Sequence, residues 1–432
     1  MSGAAGTGRE AVVSIDGIAA GGAGVGRLPD GLAVFVHRTA PGERVRVAVT
    51  ERKRRWARAR LVDVIEATPE RRDAPCPYYA RCGGCTLEHL DYSAQLRAKA
   101  SLVAEALRRI GGLDIAEPPA VTASPDEFRY RNRVSFALRR LRGGRVVAGF
   151  HELERPDRIV DMDGGCLLPE PALARAWSGL RAAWGAGAAR LPAGASLRLT
   201  LRASAAGEVV LLVEGGRGDG DAEALLREVH GLRAVWHAES AGEAPRLLAG
   251  VETVAERWGE RMLPLGRRAF VQVNRAAARL LEAHVLALAG RGAGRVVDAY
   301  CGIGEYAREL ARDGWQAVGI ELDEDAVFAA RDGAPDQARF VAGDVAEHLP
   351  RELPADLVIL NPPRGGVDQA VVDALRARPP RRIVYVSCDP ATLARDLSRL
   401  GDPFRIGSLH CFDLFPQTAH VETVVELTCA IT

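Results

Sequence analysis

The spacing of apolar and polar residues divides the chain into three stretches of different character. Residues 12 to 67 hold short alternating runs separated by glycine, which predict β-strands. The predicted strands cover residues 12–14, 24–27, 32–36, 44–49 and 59–66. Five short strands within so few residues, with a Pro41-Gly42 turn between two of them, predict a small β-barrel.

The second stretch opens with helical periodicity and continues with strands. Leu96, Val103 and Leu107 fall on one face of a helix predicted over residues 92–110. Strand-like segments then dominate from residue 129 to residue 254, including residues 133–137, 196–202, 208–213 and 233–238. This stretch is therefore predicted to be a mixed, β-rich domain.

From Phe270 onward, helices and strands alternate. Helices are predicted at residues 275–288, 305–312 and 325–332, and strands at residues 295–298, 316–320, 338–341 and 357–360. This alternation predicts a mostly parallel sheet with helices on both faces. We predict an α/β protein with domains at residues 1–70, 71–265 and 266–432, and helix 92–110 is a candidate to pack on the last domain.

Composition narrows the class of protein without naming a partner. A chain of 432 residues is long enough for two or three domains, each with its own hydrophobic core. The charges of its 57 basic residues nearly cancel those of its 56 acidic residues. Lys53 and Lys99 are the only lysines, so clusters of arginine are weaker evidence here than in an average protein. No apolar run approaches the roughly 20 residues of a membrane span, and the polar start lacks the features of a signal peptide. We expect a cytoplasmic monomer without membrane contact.

A strand, a glycine turn and a helix meet near residue 302. Gly302 and Gly304 let the backbone approach a ligand at the carboxyl edge of the sheet, where such folds bind nucleotides. The spacing Gly302-x-Gly304-x-x-Ala307 matches the dinucleotide fingerprint, so a nicotinamide enzyme is one alternative. Asp298 followed by Cys-Gly-x-Gly is more typical of an S-adenosylmethionine loop.

Polar residues also end the three following predicted strands. Glu321 stands where a carboxylate can accept both ribose hydroxyls, and Asp344 stands close to the expected adenine amino group. Asn361, in Asn-Pro-Pro, ends the next strand. Solvated turn residues in a non-enzymatic domain are the alternative, but a polar group after four successive strands favours a cofactor site.

Four cysteines suggest a metal or cluster site. Cys76, Cys82 and Cys85 lie within ten residues, and paired glycines allow a sharp turn between them. A closed site takes four ligands, and Cys166, after another glycine pair, would be the fourth. Spacing alone does not separate zinc from an iron–sulfur cluster, and free thiols are the alternative.

Two arginine-rich stretches are candidates to bind RNA. Residues 52–60 carry six basic residues, including Arg54 and Arg55, together with Trp56. Residues 129–145 carry seven arginines, beginning with Arg129, Arg131 and Arg133. The aromatic residues Phe128, Tyr130 and Phe136 are interleaved with them. Aromatic rings can stack on exposed bases while guanidinium groups hold phosphates, and a solvated surface is the alternative.

Two further residues suggest covalent catalysis. Cys388 stands between an apolar strand at residues 383–386 and a helix, where a helix N-terminus could lower its pKa. Glu422 interrupts the apolar strand 421–425 and is suited to a raised pKa and to work as a base. A packing cysteine and an outward-facing glutamate are the alternatives.

Together these motifs resemble the RNA uracil-carbon-5 methyltransferases, and most closely the bacterial 23S ribosomal RNA branch with a TRAM domain and a [4Fe-4S] cluster. The likeness covers nearly the whole chain. It implies a TRAM (OB-like) barrel, a central domain with an iron–sulfur loop, and a class I SAM-dependent methyltransferase domain of Rossmann-like fold. The cofactors would be S-adenosyl-L-methionine and a [4Fe-4S] cluster on the four cysteines named above. The partner would be RNA: most directly rRNA, alternatively tRNA or another pyrimidine substrate.

The resemblance also implies individual roles. Cys388 would add to carbon 6 of uracil, and Glu422 would remove the carbon 5 proton after methyl transfer. Gln272, Tyr300 and Glu305 fall at further cofactor positions. Asn361 and Glu305 depart from the family pattern, which generally has aspartate and commonly asparagine there, and these changes are consistent with a divergent substrate.

Three rival functions fit less well. A base-amino methyltransferase also uses Asn-Pro-Pro, but Arg364 occupies its aromatic position and Cys388 would be idle. A non-catalytic RNA-binding or redox-sensing protein would need neither Cys388 nor Glu422. A nicotinamide oxidoreductase explains neither Cys388 nor Asn-Pro-Pro.

Overall fold

The computed structural model describes residues 8–240, 242–258, 261–265 and 272–430. It forms two compact units: residues 1–72, 89–125 and 276–432 make the first, and residues 73–88 and 126–275 make the second. The first unit thus contains the predicted barrel, the predicted helix 92–110 and most of the predicted C-terminal domain. The predicted domain boundary after residue 265 falls at residues 266–271, outside the described part of the chain.

The N-terminal strands close into the small barrel that the sequence predicts. The strands are β1 (Glu10–Ile18), β2 (Ala23–Arg27), β3 (Ala33–His37), β4 (Arg44–Arg52) and β5 (Trp56–Glu66), in the order β1-β2-β3-β5-β4. Alternate residues point inward because side chains alternate across a strand. The buried residues include Val13, Ile15, Val34, Val36, Val45 and Val47.

The first unit continues, after residue 88, with helix α1 (Tyr92–Arg109) and the short strand β6 (Ala120–Thr122). Val103 and Leu107 of α1 are fully buried, whereas Leu96 is half-buried. Gln95 and Lys99 of the same helix are also fully buried. Polar residues with no exposed surface need internal partners, so this helix makes more than an apolar contact.

The second unit is built on an antiparallel-rich sheet. Its strands are β7 (Arg133–Arg140), β8 (Val146–Gly149), β9 (Ser196–Ala203), β10 (Val209–Glu214), β11 (Leu232–Ala238), β12 (Arg246–Gly250), β13 (Val254–Trp258) and β14 (Arg261–Leu265). The first six form one sheet in the order β12-β11-β10-β9-β7-β8, and β13 pairs with β14. Helices α2 (Pro171–Ala183) and α3 (Ala222–Glu228) complete the unit, with 3-10 turns at Arg142–Gly144 and Ala186–Ala188.

An eight-stranded sheet carries the C-terminal part of the first unit. Its strands are β15 (Arg295–Ala299), β16 (Gln316–Glu321), β17 (Ala338–Ala342), β18 (Leu357–Leu360), β19 (Arg382–Ser387), β20 (Phe404–Phe412) and β21 (Glu422–Cys429), with β6 added at one edge. The order is β17-β16-β15-β18-β19-β21-β20-β6. Strands β15 to β19 are parallel to one another, and β21 is antiparallel to both β19 and β20.

Helices cover both faces of this sheet, as the alternation predicts. They are α4 (Arg275–Ala289), α5 (Glu305–Arg312), α6 (Glu324–Arg331), α7 (Val345–Glu352), α8 (Gln369–Ala377) and α9 (Pro390–Leu400). One apolar core joins the sheet to α1, α7, α8 and α9, and a second joins it to α4, α5 and α6. In the described part of the chain, no helix is long and apolar enough to cross a membrane.

Candidate active site

The strand order creates a crevice at the carboxyl edge of the eight-stranded sheet. From β15 the chain builds outward to β16 and β17, then returns to add β18 and β19 on the other side. Open parallel sheets bind ligands at such a reversal, because the loops there diverge and leave room. The residues that follow β17, β16, β15 and β18 therefore lie side by side along one edge.

The turn after β15 is shaped by glycine. Gly302 and Gly304 adopt positive φ angles of 53° and 77°, which side chains disfavour. A Cβ atom on Gly304 would lie 2.3 Å from Cε1 of Phe340, so only glycine fits there without rearrangement. Tyr300 also has a positive φ of 64°, a conformation uncommon outside glycine. Burial raises the pKa of its hydroxyl to about 12.

Beneath this turn lies Asp298, which is fully buried. Its Oδ2 accepts a hydrogen bond of 3.1 Å from the backbone N–H of Ala307 near the start of α5. Burial raises the pKa of Asp298 to about 7, with smaller contributions from Glu321 and Glu305. This carboxyl group ties the strand to the helix and holds the glycine turn between them.

Glu321 and Asp344 end the next two strands. Glu321 Oε2 accepts from Gly302 N at 3.0 Å, and its Oε1 accepts from Asp323 N at 3.0 Å. The glutamate thus fixes the glycine turn as well as its own loop. Asp344 is exposed and caps α7, accepting from Ala346 N at 2.8 Å.

Asn361 and Glu305 flank the turn after β15. Asn361 follows β18, and its N–H donates to the carbonyl of Ala299 at 3.3 Å. Glu305 is the first residue of α5. It acts on Glu282 of α4, whose pKa is raised to about 8 by burial first and Glu305 second. Glu282 escaped the sequence reasoning, because nothing in a helical pattern indicates which glutamate faces another.

Cys388 and Glu422 are brought together at the ends of adjacent strands. Cys388 directly follows β19, and Glu422 is the first residue of β21. The two strands pair in antiparallel register with Ser387 opposite Thr423, which places the cysteine and the glutamate at the same end. Their charges interact, since Glu422 raises the pKa of Cys388.

Burial dominates the electrostatics of this pair. It raises the pKa of the Cys388 thiol, and it raises the pKa of Glu422 to about 7. Arg364 opposes both changes and lies after Asn-Pro-Pro on the loop from β18. Its backbone carbonyl accepts from Thr392 Oγ1 at 3.1 Å, so the arginine loop is fastened to α9. The sequence drew attention to Arg364 only as a departure from another motif, not as a partner of both residues.

The pKa of the Cys388 thiol lies above its ordinary value although a helix follows the residue, and burial is the largest cause. Asp389 caps α9, accepting from the N–H groups of Ala391 and Thr392, both at 2.9 Å. The carboxylate satisfies the exposed donors of the helix and raises the pKa of Cys388. The backbone N–H groups at the start of the helix therefore already have the Asp389 carboxylate as their acceptor.

The four predicted ligand cysteines converge within the second unit. Cys76, Cys82, Cys85 and Cys166 line one cavity, together with Tyr79, Gly84, Glu88, Phe150, Met162, Leu167 and Leu168. Burial raises the pKa of Cys76, of Cys85 and, to about 12, of Cys166. Among the described residues, no group of three or more His, Cys, Asp or Glu side chains is arranged so that it could hold a metal ion.

The predicted RNA-binding residues fall into two settings. Arg54 and Arg55 are exposed between β4 and β5, beside the half-buried Trp56. In the second unit, Arg129 Nη1 donates to the carbonyl of Cys166 at 2.9 Å. Arg131 makes backbone bridges to Pro169 and Asn274, and Arg133 begins β7.

The prediction that aromatic residues near the second arginine stretch face RNA is wrong for two of the three, while the third, Phe128, is half-buried. Tyr130 and Phe136 are buried, at 4% and 1% exposure, so their rings pack in the core and do not face bases.

Gln272 also lies in the second unit, where its backbone carbonyl accepts from Asn132 Nδ2 at 2.7 Å. The two residues before it, Phe270 and Val271, lie outside the described residues.

Comparison with known proteins agrees with this architecture. Residues 351–430 match the family described as tRNA (Uracil-5-)-methyltransferase, and residues 6–62 match the TRAM domain. An uncharacterized RNA methyltransferase of Halalkalibacterium halodurans is 32% identical over 96% of this chain and 96% of its own. The 23S rRNA (uracil(1939)-C(5))-methyltransferase of Chromohalobacter salexigens is 34% identical over 96% of this chain and 89% of its own.

A solved structure extends the comparison to the whole fold. The tRNA (uracil-54, C5)-methyltransferase of Pyrococcus abyssi, in complex with S-adenosyl-L-homocysteine, superposes with a TM-score of 0.75 at 26% identity. The superposition covers 96% of this chain and 99% of that one. With relatives above 30% identity along almost its entire length, the chain belongs to the S-adenosylmethionine-dependent RNA uracil-5-methyltransferase family.

Proposed function

We propose that this enzyme methylates carbon 5 of a uridine in 23S rRNA through a covalent intermediate on Cys388, with Glu422 as the base. The observation that carries the mechanism is the pairing of β19 with β21, which brings a half-buried thiol and a buried carboxyl group to one end of the sheet. That end is also the carboxyl edge of the parallel strands, where the cofactor site is expected.

The chemistry requires both groups. Carbon 5 of uracil is a poor nucleophile, so the Cys388 thiolate first forms a bond to carbon 6 and pushes the ring electrons toward carbon 5. S-adenosylmethionine, when bound, supplies the electrophilic methyl group. Glu422 then takes the proton from carbon 5, the ring double bond re-forms, and the carbon–sulfur bond breaks to release the thiolate.

The electrostatics suit a base that works near neutral pH. With a pKa of about 7, a large share of Glu422 is ionised and can accept a proton there. Burial keeps the Cys388 thiol protonated at rest, and Arg364 is the cation that favours its thiolate. We assign Arg364 the role of stabilising the ionised forms of both residues.

The cofactor site follows the order of the strands. Along the edge stand Asp344 for the adenine amino group, Glu321 for the ribose hydroxyls, and Tyr300 beside the glycine turn. Each carboxylate oxygen of Glu321 accepts one backbone hydrogen bond. Each oxygen also retains a second lone pair that can accept from a ribose hydroxyl. Asn361, on the next strand, keeps hydrogen-bonding capacity without charge.

Three further residues complete the proposed cofactor site. Gly302 leaves room for the ligand, since a Cβ there would meet nothing within 4 Å. Gly304 lets the turn pack against Phe340, and Glu305 places a carboxylate at the start of α5. For Gln272, which lies in the second unit, a cofactor role is implied by the family resemblance alone. Negative charge near a sulfonium is favourable, so Glu305 in place of the commoner asparagine is compatible with this cofactor.

We further propose that Cys76, Cys82, Cys85 and Cys166 hold a [4Fe-4S] cluster with a structural role. The donor set fits, because four thiols line one cavity. A single zinc ion held by the same four thiolates is the alternative, and the metal content of the purified protein distinguishes the two. Methyl transfer needs no electron.

RNA contact is proposed for the exposed hairpin between β4 and β5 and for the basic start of β7. Arg54, Arg55 and Trp56 suit phosphate contacts and base stacking. We place rRNA ahead of tRNA because the relative named for 23S rRNA is 34% identical, against 26% for the structure named for tRNA. Mapping 5-methyluridine in both RNAs from a deletion strain tests this choice, and loss confined to tRNA would refute it.

The covalent step has a direct test. With RNA carrying 5-fluorouridine, the enzyme should form a stable adduct, because fluorine cannot be removed as a proton. Cys388→Ala should give neither adduct nor methylation, while Cys429→Ala, a change in another half-buried cysteine, should give both. Normal turnover by Cys388→Ala would overturn the mechanism.

The base has a separate signature. Glu422→Gln should accumulate the methylated covalent complex, visible as a slowly migrating protein–RNA species on a denaturing gel, because addition and methyl transfer survive. Normal turnover, or RNA binding without any trapped complex, would refute the base assignment.

A further inference from the structure

The loop that delivers Glu422 to the site is held by a helix that the mechanism does not use. Residues 413–421, here called the base loop, join β20 to β21. Phe412 and Glu422 face each other as paired residues, so the loop leaves the sheet opposite the glutamate and returns at it. The placement of the Glu422 carboxyl group therefore depends on the conformation of the base loop.

The base loop has an unusual conformation at its centre. Gln417 has a φ of 70°, and both Gln417 and Asp413 are fully buried. A non-glycine residue persists in this region only when its surroundings hold it there. The contacts that hold it come in large part from α1, which is more than 300 residues away in sequence.

Lys99 of α1 anchors the start of the base loop. Its Nζ donates to Asp413 Oδ1 at 2.5 Å and to the carbonyl of Phe415 at 3.1 Å, and neither charged side chain has exposed surface. A buried charge is tolerated only with a close partner, so each member of the pair requires the other. Only two of the 57 basic residues of the chain are lysine, and one of them is used here. A compact ammonium group suits a site where a guanidinium would bring too many donors.

Gln95 fixes the middle of the base loop from the same face of α1. It lies one helical turn before Lys99. Its Nε2 donates to Gln417 Oε1 at 2.9 Å, and its Oε1 accepts from Gln417 N at 3.0 Å. Arg72 Nη2 donates to the same Gln417 oxygen at 3.1 Å. One amide group thus holds both the backbone and the side chain of the strained residue.

We propose that Lys99 and Gln95 are positioning residues for Glu422. They fix the base loop so that the carboxyl group reaches the carbon 5 proton after methyl transfer. This inference rests on the proposed role of Glu422 as the base. The hydrogen bonds of Lys99 and Gln95 go to the base loop and to Leu90, and none of them reaches Cys388 or the cofactor edge. Loss of these contacts should therefore slow release of the product more than formation of the adduct.

The experiment separates the two stages of the reaction in three variants. Lys99→Met removes the ion pair, Gln95→Ala removes the amide clamp, and Gln417→Gly removes the clamped side chain while glycine accepts the positive φ without strain. Adduct formation on 5-fluorouridine RNA measures the steps before the base. The fraction trapped as methylated complex on ordinary RNA, and the pH profile of its release, measure the base itself.

We expect the rate of adduct formation in these variants to stay within about twofold of wild type. The rate of release should fall by at least about tenfold, which is a fraction of the roughly 10²- to 10⁴-fold that a general base contributes. The methylated complex should accumulate, and the pH profile of release should move. Arg109→Gln, on the exposed end of the same helix, is the matched control and should release product at the wild-type rate.

Two results would overturn the inference. Wild-type release by Gln417→Gly and Gln95→Ala would show that the base loop needs no clamp. An equal loss of adduct formation and release would assign α1 a purely structural role. If Lys99→Met does not fold, the two glutamine variants decide. Glu422→Gln is tested in parallel. If Glu422→Gln traps no methylated complex, the proposed function fails. If Glu422→Gln traps the complex but the Lys99, Gln95 and Gln417 variants do not, only the positioning inference fails.

Discussion

Replacing Glu422 by glutamine should stabilise the protein at alkaline pH. The side chain is 6% exposed, and burial raises the pKa of its carboxyl group from 4.5 to about 7. The folded chain therefore binds this proton more tightly than the unfolded chain does. The wild-type enzyme should lose stability from this group as pH rises from 4.5 to about 7, and remain at the lower level above that.

The magnitude follows from the two pKa values. A rise from 4.5 to about 7 corresponds to about 3 kcal/mol, at about 1.36 kcal/mol for each tenfold change in the proton equilibrium. Glutamine has nearly the same shape and carries no charge at any pH. Glu422→Gln should thus be more stable than wild type by up to about 3 kcal/mol at pH 8 and close to wild type below pH 4.5. The same variant should lose turnover, so stability and catalysis would change in opposite directions.

Urea denaturation at several pH values between 4.5 and 8 measures the effect, with Glu117→Gln, a change in an exposed loop glutamate, as the control. The free energy of unfolding should differ between wild type and Glu422→Gln only as pH rises, while the control should follow wild type throughout. Equal stabilities at pH 8, or a difference as large at pH 4.5 as at pH 8, would refute the reasoning.

Three further changes test other parts of the molecule. Gly304→Ala should lower the free energy of unfolding by about 1–3 kcal/mol, because of its positive φ and the Phe340 ring that a Cβ would meet. It should also weaken the binding of S-adenosylhomocysteine, measured by calorimetry. Unchanged affinity would contradict a role of the glycine turn in cofactor binding. Anaerobically purified protein should be brown with about four irons per chain; Cys166→Ser should lose the colour and Cys301→Ser should keep it, and zinc without iron would refute the cluster. In the double variant Arg54→Gln, Arg55→Gln, the plot of log affinity for RNA against log salt concentration should become less steep by about 0.7 for each lost phosphate contact. An unchanged slope would exclude phosphate contacts by this hairpin.

Helices and strands that are marked by a local pattern of apolar residues could be predicted from the sequence. The barrel strands and the alternating helices and strands were predictable because apolar residues repeat with the period of each element. The strand β18 was predicted at its observed bounds, Leu357–Leu360, and α5 at Glu305–Arg312. Residues that end strands were also predictable as candidates, since parallel strands share one carboxyl edge.

Local pattern did not determine which strands become neighbours. The pairing of β19 with β21, which brings Cys388 and Glu422 to one end, joins segments separated by a helix and another strand. Such pairing is decided by packing across the whole sheet, and no periodicity in either strand encodes it. The sequence resemblance supplied that pairing of roles, and the tertiary structure supplied the geometry and the contribution of Arg364.

Burial and capping also came only from the tertiary structure. The α9 N-terminus that could have lowered the pKa of Cys388 is capped by Asp389, and two aromatic residues expected to face RNA lie in the core. Gln95 and Gln417 meet across 322 residues, a contact that helical periodicity does not reveal because both residues read as surface polar positions. Their role depends on what covers them, and only the assembled fold decides whether a polar side chain is solvated or clamped.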